Sequence, residues 1–362
     1  MWSGGHPCSL CLRNANLRTN ARAPTRRRGR VTTMPDLDPS ELVGSLAEGY
    51  VGSRCLHVVA SLGVADVIGD EQRSVAEIAR ELGVDASSLG RVVRHLASLG
   101  IFAMSGDDVS HNEASRLLRH DHPEGLLPLT RLLGMPIIWD SFKSLEEAVR
   151  TGRPGTNFHD PNGFFSYLDA HPEESEVYDQ GMTAMTTRRI SKVVPCYDFS
   201  QFDVIADIGG GRGHLLRAVL DQTPGAQGVL FDRAQVASEL GSLDRISVQA
   251  GSFFTDALPA ADCYMLSNVI HDWSDADAVA ILTAVRTAAA PTSTLLLFEW
   301  VIPDDAGQFE ASDIDVYMLA LVGGRERTLD EYTHLLAASG WRIQRTVSTP
   351  SQDILEAVPT SP

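Results

Sequence analysis

A glycine-rich segment, Asp207-Ile-Gly-Gly-Gly-Arg-Gly213, lies directly between an apolar stretch and a segment with helical periodicity. A strand, a glycine turn and a helix in this order are typical of the first unit of an open parallel sheet, where a ligand can approach the backbone and the helix N-terminus. The spacing does not complete the dinucleotide fingerprint Gly-x-Gly-x-x-Gly, because His214 or Leu216 stands where its third glycine is required. The segment therefore predicts a site for a small polar ligand and disfavours a nicotinamide or flavin cofactor.

Short apolar runs alternate with helical patterns from residue 203 onward, which predicts a mostly parallel sheet with helices on both faces. The predicted strands are Val204–Ile208, Gln227–Phe231, Ile246–Ala250, Cys263–Val269 and Thr294–Trp300, and helices are predicted from about His214 and Asp275. The expected fold class is α/β, with a Rossmann-like, doubly wound sheet.

The chain before this sheet is predicted to be mainly helical and to contain a winged helix-turn-helix. Ser74 and Glu77 form a capping box for a first helix, which Gly83 ends. Asp85 caps a second helix, and a hairpin over residues 101–109 provides the wing. Such a module can bind DNA or form a dimer, and we expect a structural or dimer-forming role here.

We predict four segments along the chain. Residues 1–34 are interpreted as a disordered extension or as sequence upstream of a start at Met34. Residues 35–120 form the winged-helix dimerisation domain, residues 121–195 connecting helices, and residues 196–358 the ligand-binding domain.

The charge of the chain disfavours nucleic acid as a partner. Residues 1–33 hold seven arginines and no acid, so the other 329 residues carry 23 basic and 47 acidic groups. A body with net charge −24 repels a polyanion.

Five cysteines give no disulfide framework, and Cys8-x-x-Cys11 lacks a second pair to complete a zinc site. No apolar run approaches the ~20 residues of a membrane span. We expect a cytoplasmic protein that binds neither nucleic acid nor membrane.

A second ligand-binding signal is Asp232, which ends the strand after the glycine segment, 23 residues past Gly209. An acid at this position can accept the hydroxyl protons of a ribose. The glycine turn and the acid together predict an adenosine-containing ligand. The alternative is a tight turn followed by an aspartate that caps a helix.

Six motifs occur in the order found in one protein family: Asp207–Gly213, Asp232, Gly251-Ser-Phe-Phe254, His271-Asp-Trp-Ser-Asp275, Glu299 and Gly323-Gly-Arg-Glu-Arg-Thr328. The sequence resembles the S-adenosylmethionine-dependent O-methyltransferases of the plant caffeic acid type. Within them it is most similar to bacterial members that act on antibiotic and pigment precursors, such as the anthracycline and mitomycin O-methyltransferases. The resemblance covers roughly residues 40–358, including the N-terminal region, which forms the dimer in that family.

The resemblance implies that S-adenosyl-L-methionine is the methyl donor, that no metal is needed, and that the protein is a homodimer. The residues implied to contact the donor are Gly209, Gly211, Asp232, Ser252, Phe253 and Ser267. Two of them depart from the family pattern, since many members have Asp at the position of Ser252 and plant members have Lys at that of Ser267. These departures leave individual adenine-side and carboxylate-side contacts open.

The resemblance makes His271 the general base, and its place after the predicted strand from Cys263, at the ligand-binding edge of the sheet, supports this independently. An imidazole with a pKa near ~6.5 is mostly neutral at pH 7 and can accept a phenolic proton. The alternative is a histidine that only caps or packs beside Trp273. Glu299 and Glu326 are the acids that can hold the other ring nitrogen, and we favour Glu299 because its strand ends beside that of His271.

We expect methyl transfer to a phenolic or enolic hydroxyl of a small aromatic secondary metabolite, bound between the two domains. The candidate acceptor contacts are Trp139, Phe164, Met182, Met185, Asp272 and Met318, although Met and aromatic residues are equally expected in a plain core. One alternative is a relative that keeps the donor site but catalyses decarboxylation or hydroxylation, which the retained His271 disfavours. The other is a winged-helix transcription regulator, which the body charge disfavours.

Overall fold

A computed structural model describes residues 38–241, 243–305 and 311–360. The extension predicted over residues 1–34 lies outside these described residues. No helix within them is long and apolar enough to cross a bilayer.

The N-terminal region consists of five helices and a small antiparallel sheet. Its helices are α1 (Pro39–Leu62), α2 (Val64–Ile68), α3 (Val75–Leu82), α4 (Ala86–Ser98) and α5 (Glu113–Arg116), and its strands are β1 (Arg73–Ser74), β2 (Ala103–Ser105) and β3 (Asp108–Ser110), in the order β1-β3-β2. Ser74 and Glu77 form the predicted capping box, and the Asp85 carboxylate accepts the N–H of Ser88 at 2.8 Å. The winged helix-turn-helix is therefore confirmed.

Five further helices connect this region to the sheet domain. They are α6 (Leu127–Leu133), α7 (Pro136–Lys143), α8 (Leu145–Thr151), α9 (Phe164–Ala170) and α10 (Pro172–Val193), with 3₁₀ turns at Gly155–Phe158 and Val194–Cys196. Helix α10 packs closely on α6 at Gly181, where a Cβ atom would lie 2.5 Å from the side chain of Leu132. This close approach lets α10 pack directly against α6.

The C-terminal region is a seven-stranded sheet with helices on both faces. Its strands are β4 (Val204–Ile208), β5 (Gln227–Asp232), β6 (Ile246–Ala250), β7 (Cys263–Ser267), β8 (Thr294–Glu299), β11 (Trp341–Val347) and β12 (Asp353–Pro359), and β9 (Val301–Ile302) pairs separately with β10 (Arg327–Thr328). Its helices are α11 (His214–Gln222), α12 (Ala234–Glu239), α13 (Asp275–Ala288), α14 (Ser312–Leu321) and α15 (Leu329–Ala338). The strand order is β11-β12-β8-β7-β4-β5-β6, with β11 and β12 antiparallel to their neighbours and the rest parallel.

The chain reverses its direction of winding at β4, which lies between β7 and β5. Two buried apolar clusters, one on each face of the sheet, hold the helices in place. An open parallel sheet binds its ligands at such a switch point, beyond the carboxyl ends of the strands. The predicted strand from Cys263 ends earlier than expected, at Ser267, because Asn268 adopts a left-handed backbone with φ +54°. This turn redirects the chain toward His271.

Candidate active site

A cleft of about 420 Å³ opens beyond the carboxyl ends of β4, β5 and β7, and helices α9 and α10 cover it. Its floor includes five of the predicted ligand-binding residues, Gly209, Gly211, Asp232, Phe253 and Ser267. The structure therefore brings the strand-end residues of the sheet together with side chains of the connecting helices.

The glycine turn requires its glycines for two different reasons. Gly209 and Gly211 have φ values of +72° and +56°, which side chains disfavour. At Gly210, a Cβ atom would lie 2.5 Å from the carboxylate of Asp207. The N–H of Gly211 donates to Oδ2 of Asp232 at 2.7 Å, so the turn and the acid position each other.

Asp207 is a buried acid that lines the same cleft, and sequence reasoning did not assign it a role. Neither of its carboxylate oxygens has a hydrogen-bond partner of good geometry in the part of the chain that the structure describes, although the backbone N–H of Leu216 contributes a small lowering of its pKa. Burial raises the pKa of Asp207 to about 7, and the nearby charge of Asp232 adds to this shift. An acid without a hydrogen-bond partner at a cleft suits a ligand that carries a positive charge. The signal for Asp207 in the sequence was that it is the first residue of the glycine-rich segment.

Three aromatic rings form one end of the cleft. The rings of Phe253, Phe254 and Trp273 meet edge to face, with centroids 4.9 to 5.7 Å apart. Phe253 and Trp273 line the cleft, where they can flank a planar base. Ser252 is not among the residues that line it, and its hydroxyl accepts the N–H of Phe254 at 3.3 Å, so its contact with the donor stays a prediction.

His271 lies in a 3₁₀ turn, Ile270–Asp272, and is 5% exposed. Its Nδ1 is 2.7 Å from Oε1 of Glu326 and 3.9 Å from Oε2 of Glu299. The partner of the imidazole is therefore Glu326, and the preference for Glu299 was wrong. Oε1 of Glu299 instead accepts the N–H groups of Val269 and Ile270, at 3.2 and 2.9 Å, so Glu299 holds the turn that carries the histidine.

Glu326 reaches His271 because the loop after α14 crosses the histidine turn at close range. A Cβ atom on Gly324 would overlap the carbonyl oxygen of His271, so the crossing requires glycine. The N–H of Arg325 donates to that carbonyl at 2.8 Å, and the N–H of Glu326 donates to Asp315 at 2.8 Å. The glycine pair of this motif therefore has a structural purpose that sequence reasoning did not recognise.

Arg327 is fully buried and stabilises the same turn through hydrogen bonds. Its guanidinium donates to the carbonyl oxygens of Ile270 at 3.0 Å and Trp273 at 2.7 Å, and it pairs with Asp275 at 2.9 Å. It lies within a motif noted in the sequence, but nothing local indicated that it would be buried. Hydrogen bonds from both Glu299 and Arg327 therefore hold the turn that carries His271.

The acids around His271 change its protonation. Burial by itself lowers the pKa of His271, but Glu299, Asp272 and Glu326 outweigh burial and raise it to about 9. Burial raises the pKa of Asp272 to about 6 and that of Glu299 to about 7. The ordinary imidazole pKa that the sequence suggested does not hold here, because the surrounding acids raise the pKa of His271.

His271, Glu299 and Glu326 also place possible ligand atoms within 4.8 Å of one another. A metal ion would compete with the short hydrogen bond that already occupies Nδ1. The other ring nitrogen, Nε2, lies 3.5 Å from Oδ1 of Asp272, which lines the cleft. His271 itself is not among the residues that line the cleft, and the neighbour that connects it to the cleft is Asp272.

The predicted acceptor contacts divide into two groups. Met182 and Asp272 line the cleft. Phe164 does not, because it lies one layer behind, with its ring 5.7 Å from that of Phe165 and 5.4 Å from that of Tyr178. Phe165 and Tyr178 line the cleft in its place, and sequence reasoning missed them because neighbouring aromatic residues on a helix give no sign of which one faces inward.

Trp139 lies away from the cleft, where its N–H donates to Nδ1 of His57 at 3.2 Å and its ring lies beneath Arg54. Met185 packs in an apolar cluster of the connecting helices, and Met318 on α14 does not line the cleft either. None of Trp139, Met185 and Met318 lines this cleft, and their contact with an acceptor stays a prediction.

Residues 142–342 match the family model of the O-methyltransferase domain, and residues 45–121 match that of the O-methyltransferase dimerisation domain. The phenazine O-methyltransferase PhzM of Lysobacter antibioticus is 34% identical over 329 residues, which cover 88% of this chain and 96% of that protein. The mitomycin biosynthesis 6-O-methyltransferase of Streptomyces lavendulae is 33% identical, over 85% of this chain and 90% of that protein.

The crystal structure of LaPhzM superposes with a TM-score of 0.84 at 34% identity, covering 89% of this chain and all of that one. NcsB1 from neocarzinostatin biosynthesis, bound to S-adenosyl-L-homocysteine and 1,4-dihydroxy-2-naphthoic acid, has a TM-score of 0.75 at 32% identity, covering 85% of this chain and 96% of that one.

The sheet, its switch-point cleft and the glycine turn define a methyltransferase with a Rossmann-like domain. The chain belongs to the O-methyltransferase family, whose members use S-adenosylmethionine as methyl donor.

Proposed function

We propose that the protein transfers the methyl group of S-adenosylmethionine to a phenolic or enolic hydroxyl of a small aromatic secondary metabolite, with His271 as general base. The observation that carries this proposal is the 2.7 Å hydrogen bond between His271 and Glu326, buried beside a cleft whose floor is the glycine turn. Relatives named for 3-amino-4-hydroxybenzoate and for a dihydroxy-methylnaphthoate support an aromatic hydroxyl as the acceptor.

The residues of the cleft fit the donor. Asp232 is oriented by the N–H groups of Gly211 and Arg233, both at 2.7 Å, and its carboxylate would accept the ribose hydroxyls. Asp207, an acid without a hydrogen-bond partner, suits the positive charge of the amino acid portion. Phe253 would flank the adenine, and the backbone of the glycine turn, which lines the cleft, would accommodate the methionine portion. When bound, S-adenosylmethionine supplies an electrophilic methyl group.

The chain contributes alignment and proton transfer. Nε2 of His271 would take the proton of the acceptor hydroxyl as the oxygen attacks, while Nδ1–H remains donated to Glu326. Glu299 and Arg327 hold the histidine turn, which limits the motion of the base. Positioning the two reactants contributes on the order of several kcal/mol to the barrier, and the base adds about 10²-fold or more.

The direct test is incubation of the purified protein with methyl-labelled S-adenosylmethionine and a panel of hydroxylated benzoates, naphthoates and phenazines, with mass spectrometry of the products. We expect label on one hydroxyl oxygen of an accepted compound. Conversion of a compound without gain of the labelled methyl would instead indicate decarboxylation or hydroxylation. Donor binding without any methyl transfer to the panel would contradict the proposed acceptor class.

The interaction between His271 and Glu326 gives a pH-dependent prediction. Because the pKa of His271 is raised to about 9, the unprotonated base becomes more abundant as pH rises, and turnover of the wild type should increase between about pH 7 and 9. Glu326→Gln removes a carboxylate that raises this pKa. The rising limb of the pH profile should therefore shift to lower pH, while the maximal rate falls by roughly 10²-fold because the ring loses its partner.

The matched control for this variant is Glu331→Gln, which removes a carboxylate in the nearby helix cap and not at the histidine. It should leave the pH at which the rate rises unchanged. A Glu326→Gln protein with the wild-type pH profile would show that Glu326 does not set the protonation of the base.

We also propose that the protein is a homodimer formed through its N-terminal region. Helix α1 exposes a series of apolar side chains, with Val43 68%, Leu46 65% and Tyr50 63% exposed. A monomer in water rarely presents such a series on one helix. The match of residues 45–121 to the dimerisation domain supports a second copy of the chain as the partner that covers it.

Replacing Leu46 and Tyr50 together by glutamate should convert the dimer to a monomer, because burying two unpaired charges at a dry interface costs several kcal/mol, roughly 3 to 5 per group. Light scattering coupled to size exclusion measures the mass directly. Arg80→Glu on α3 is the control, since it adds negative charge at another exposed helix and should leave the dimer intact. A wild-type protein that is monomeric at micromolar concentration would overturn the proposal.

The cytoplasm is the proposed location. The proposal rests on the cysteine content, since five cysteines in 362 residues give no disulfide framework.

A further inference from the structure

We propose that Arg189 binds an acidic group of the acceptor, so that the preferred acceptor is an aromatic hydroxy acid and not a neutral phenol. This inference rests on the proposed function, because it concerns the acceptor end of the same cleft. Arg189 lies on α10, lines the cleft and is half-buried. Its guanidinium forms no hydrogen bond or ion pair with any residue that the structure describes.

The other arginines that line the cleft already have acidic partners. Arg212 pairs with Asp179 at 2.8 Å. Arg233 lies 3.7 Å from Asp169, and its guanidinium lies over the ring of Phe165. Among the cleft-lining arginines, Arg189 is therefore the one without a counterion in the described part of the chain. A partly buried guanidinium with five unused donors is stabilised by an anion that enters the cleft.

Two carboxylates of the histidine site act on the charge of Arg189. Burial lowers the pKa of Arg189, whereas the carboxylates of Glu299 and Glu326 raise it, so it lies near the acids around His271. Neither acid pairs with it directly, because Glu326 is bound to His271 and Glu299 accepts two backbone N–H groups. Arg189 is therefore within electrostatic reach of the acids around His271.

Helix α10 presents a consistent face to this end of the cleft. Met182, Thr186 and Arg189 are spaced four and three residues apart, which places them on one side of the helix, and all three line the cleft. Tyr178 begins the same face one turn earlier. An aromatic ring held against Tyr178 and Met182 would direct a ring carboxylate toward Arg189, whose planar fork matches a carboxylate bidentately.

The experiment measures binding of matched compound pairs to the full-length protein saturated with S-adenosyl-L-homocysteine. The pairs are 1,4-dihydroxy-2-naphthoic acid with its methyl ester and 4-hydroxybenzoic acid with its methyl ester. Charge-assisted hydrogen bonds predict that at least one acid binds about 10- to 100-fold more tightly than its ester. In Arg189→Met, which keeps the unbranched apolar part of the side chain and removes the guanidinium, the acid should lose this advantage while the affinity for the ester stays the same.

Two further variants define the role of the charge. Arg189→Lys should retain part of the preference, because it keeps a positive charge but not the bidentate fork. Arg188→Met is the matched control, since Arg188 is the exposed neighbour on α10 whose guanidinium donates to the carbonyl of Glu124. It should preserve the full preference for the acid.

Three outcomes would overturn the inference. The wild type could bind both members of every pair equally, or bind neither member of either pair. Arg189→Met could also weaken acid and ester by the same factor, which would mean that Arg189 supports the cleft or its acids and does not bind the acceptor. Affinity for S-adenosyl-L-homocysteine is measured first, and loss of that binding in the wild type would count against the proposed function instead.

Discussion

Replacing His271 by alanine is expected to lower turnover by about 10²- to 10⁴-fold while leaving donor affinity nearly unchanged, because a general base contributes in the transition state. Turnover is measured by labelled methyl transfer, and affinity by calorimetry with S-adenosyl-L-homocysteine. The deficit should shrink at alkaline pH, as the acceptor hydroxyl approaches its own pKa of about 10 and needs no base. His334→Ala, at an exposed histidine on α15, is the control and should retain normal turnover.

The double variant His271→Ala, Glu326→Gln tests whether the two residues act as a unit. Because Glu326 acts through its 2.7 Å contact with the imidazole, removing both should cost little more than removing His271 alone. Additive losses would show that Glu326 has a separate role. If His271→Ala methylates an accepted compound at the wild-type rate near pH 7, alignment alone drives the reaction and the general-base assignment is wrong.

Asp232→Ala is expected to weaken S-adenosyl-L-homocysteine binding by about 100-fold or more, since two charge-assisted hydrogen bonds to a ribose are each worth about 1.5 to 3 kcal/mol. The same change frees the N–H of Gly211, which loosens the turn beneath the ligand. Asp232→Asn can retain an acceptor for that N–H and should lose less affinity. Calorimetry on the folded variants measures these constants.

The control for Asp232→Ala is Asp221→Ala, at an exposed acid on α11 that does not line the cleft. It should bind with wild-type affinity. Unchanged affinity in a folded Asp232→Ala protein would remove the assignment of Asp232 to the ribose.

Local features of the chain were predictable because their causes lie within a few residues of sequence. The strand Val204–Ile208 is apolar apart from Asp207, as is typical of a strand that is covered on both faces. Gly209 and Gly211 take positive φ values, which a glycine turn at a strand end predicts. Ser74 with Glu77 and Ser274 with Asp277 cap helices where their spacing indicated.

The choice between the two glutamates was not predictable in this way. Glu299 ends a strand, so its position near His271 could be predicted from the order of the strands in the sheet. Glu326 follows a loop 55 residues after the histidine, and its contact depends on a glycine that lets two backbone segments nearly touch. No periodicity or spacing in the sequence encodes the distance between two such segments.

The sequence by itself determined the α/β sheet, the glycine turn, the acid at Asp232 and the place of His271 in the segment that follows a strand, because hydrophobic period, turn chemistry and capping are short-range properties. Only the tertiary structure decided which acid binds His271, that its pKa rises to about 9, and that Arg189 enters the cleft without a counterion. These depend on burial and on charges brought together from distant segments. Solvent exclusion and Coulomb interaction follow distance in space, and distance along the chain does not predict them.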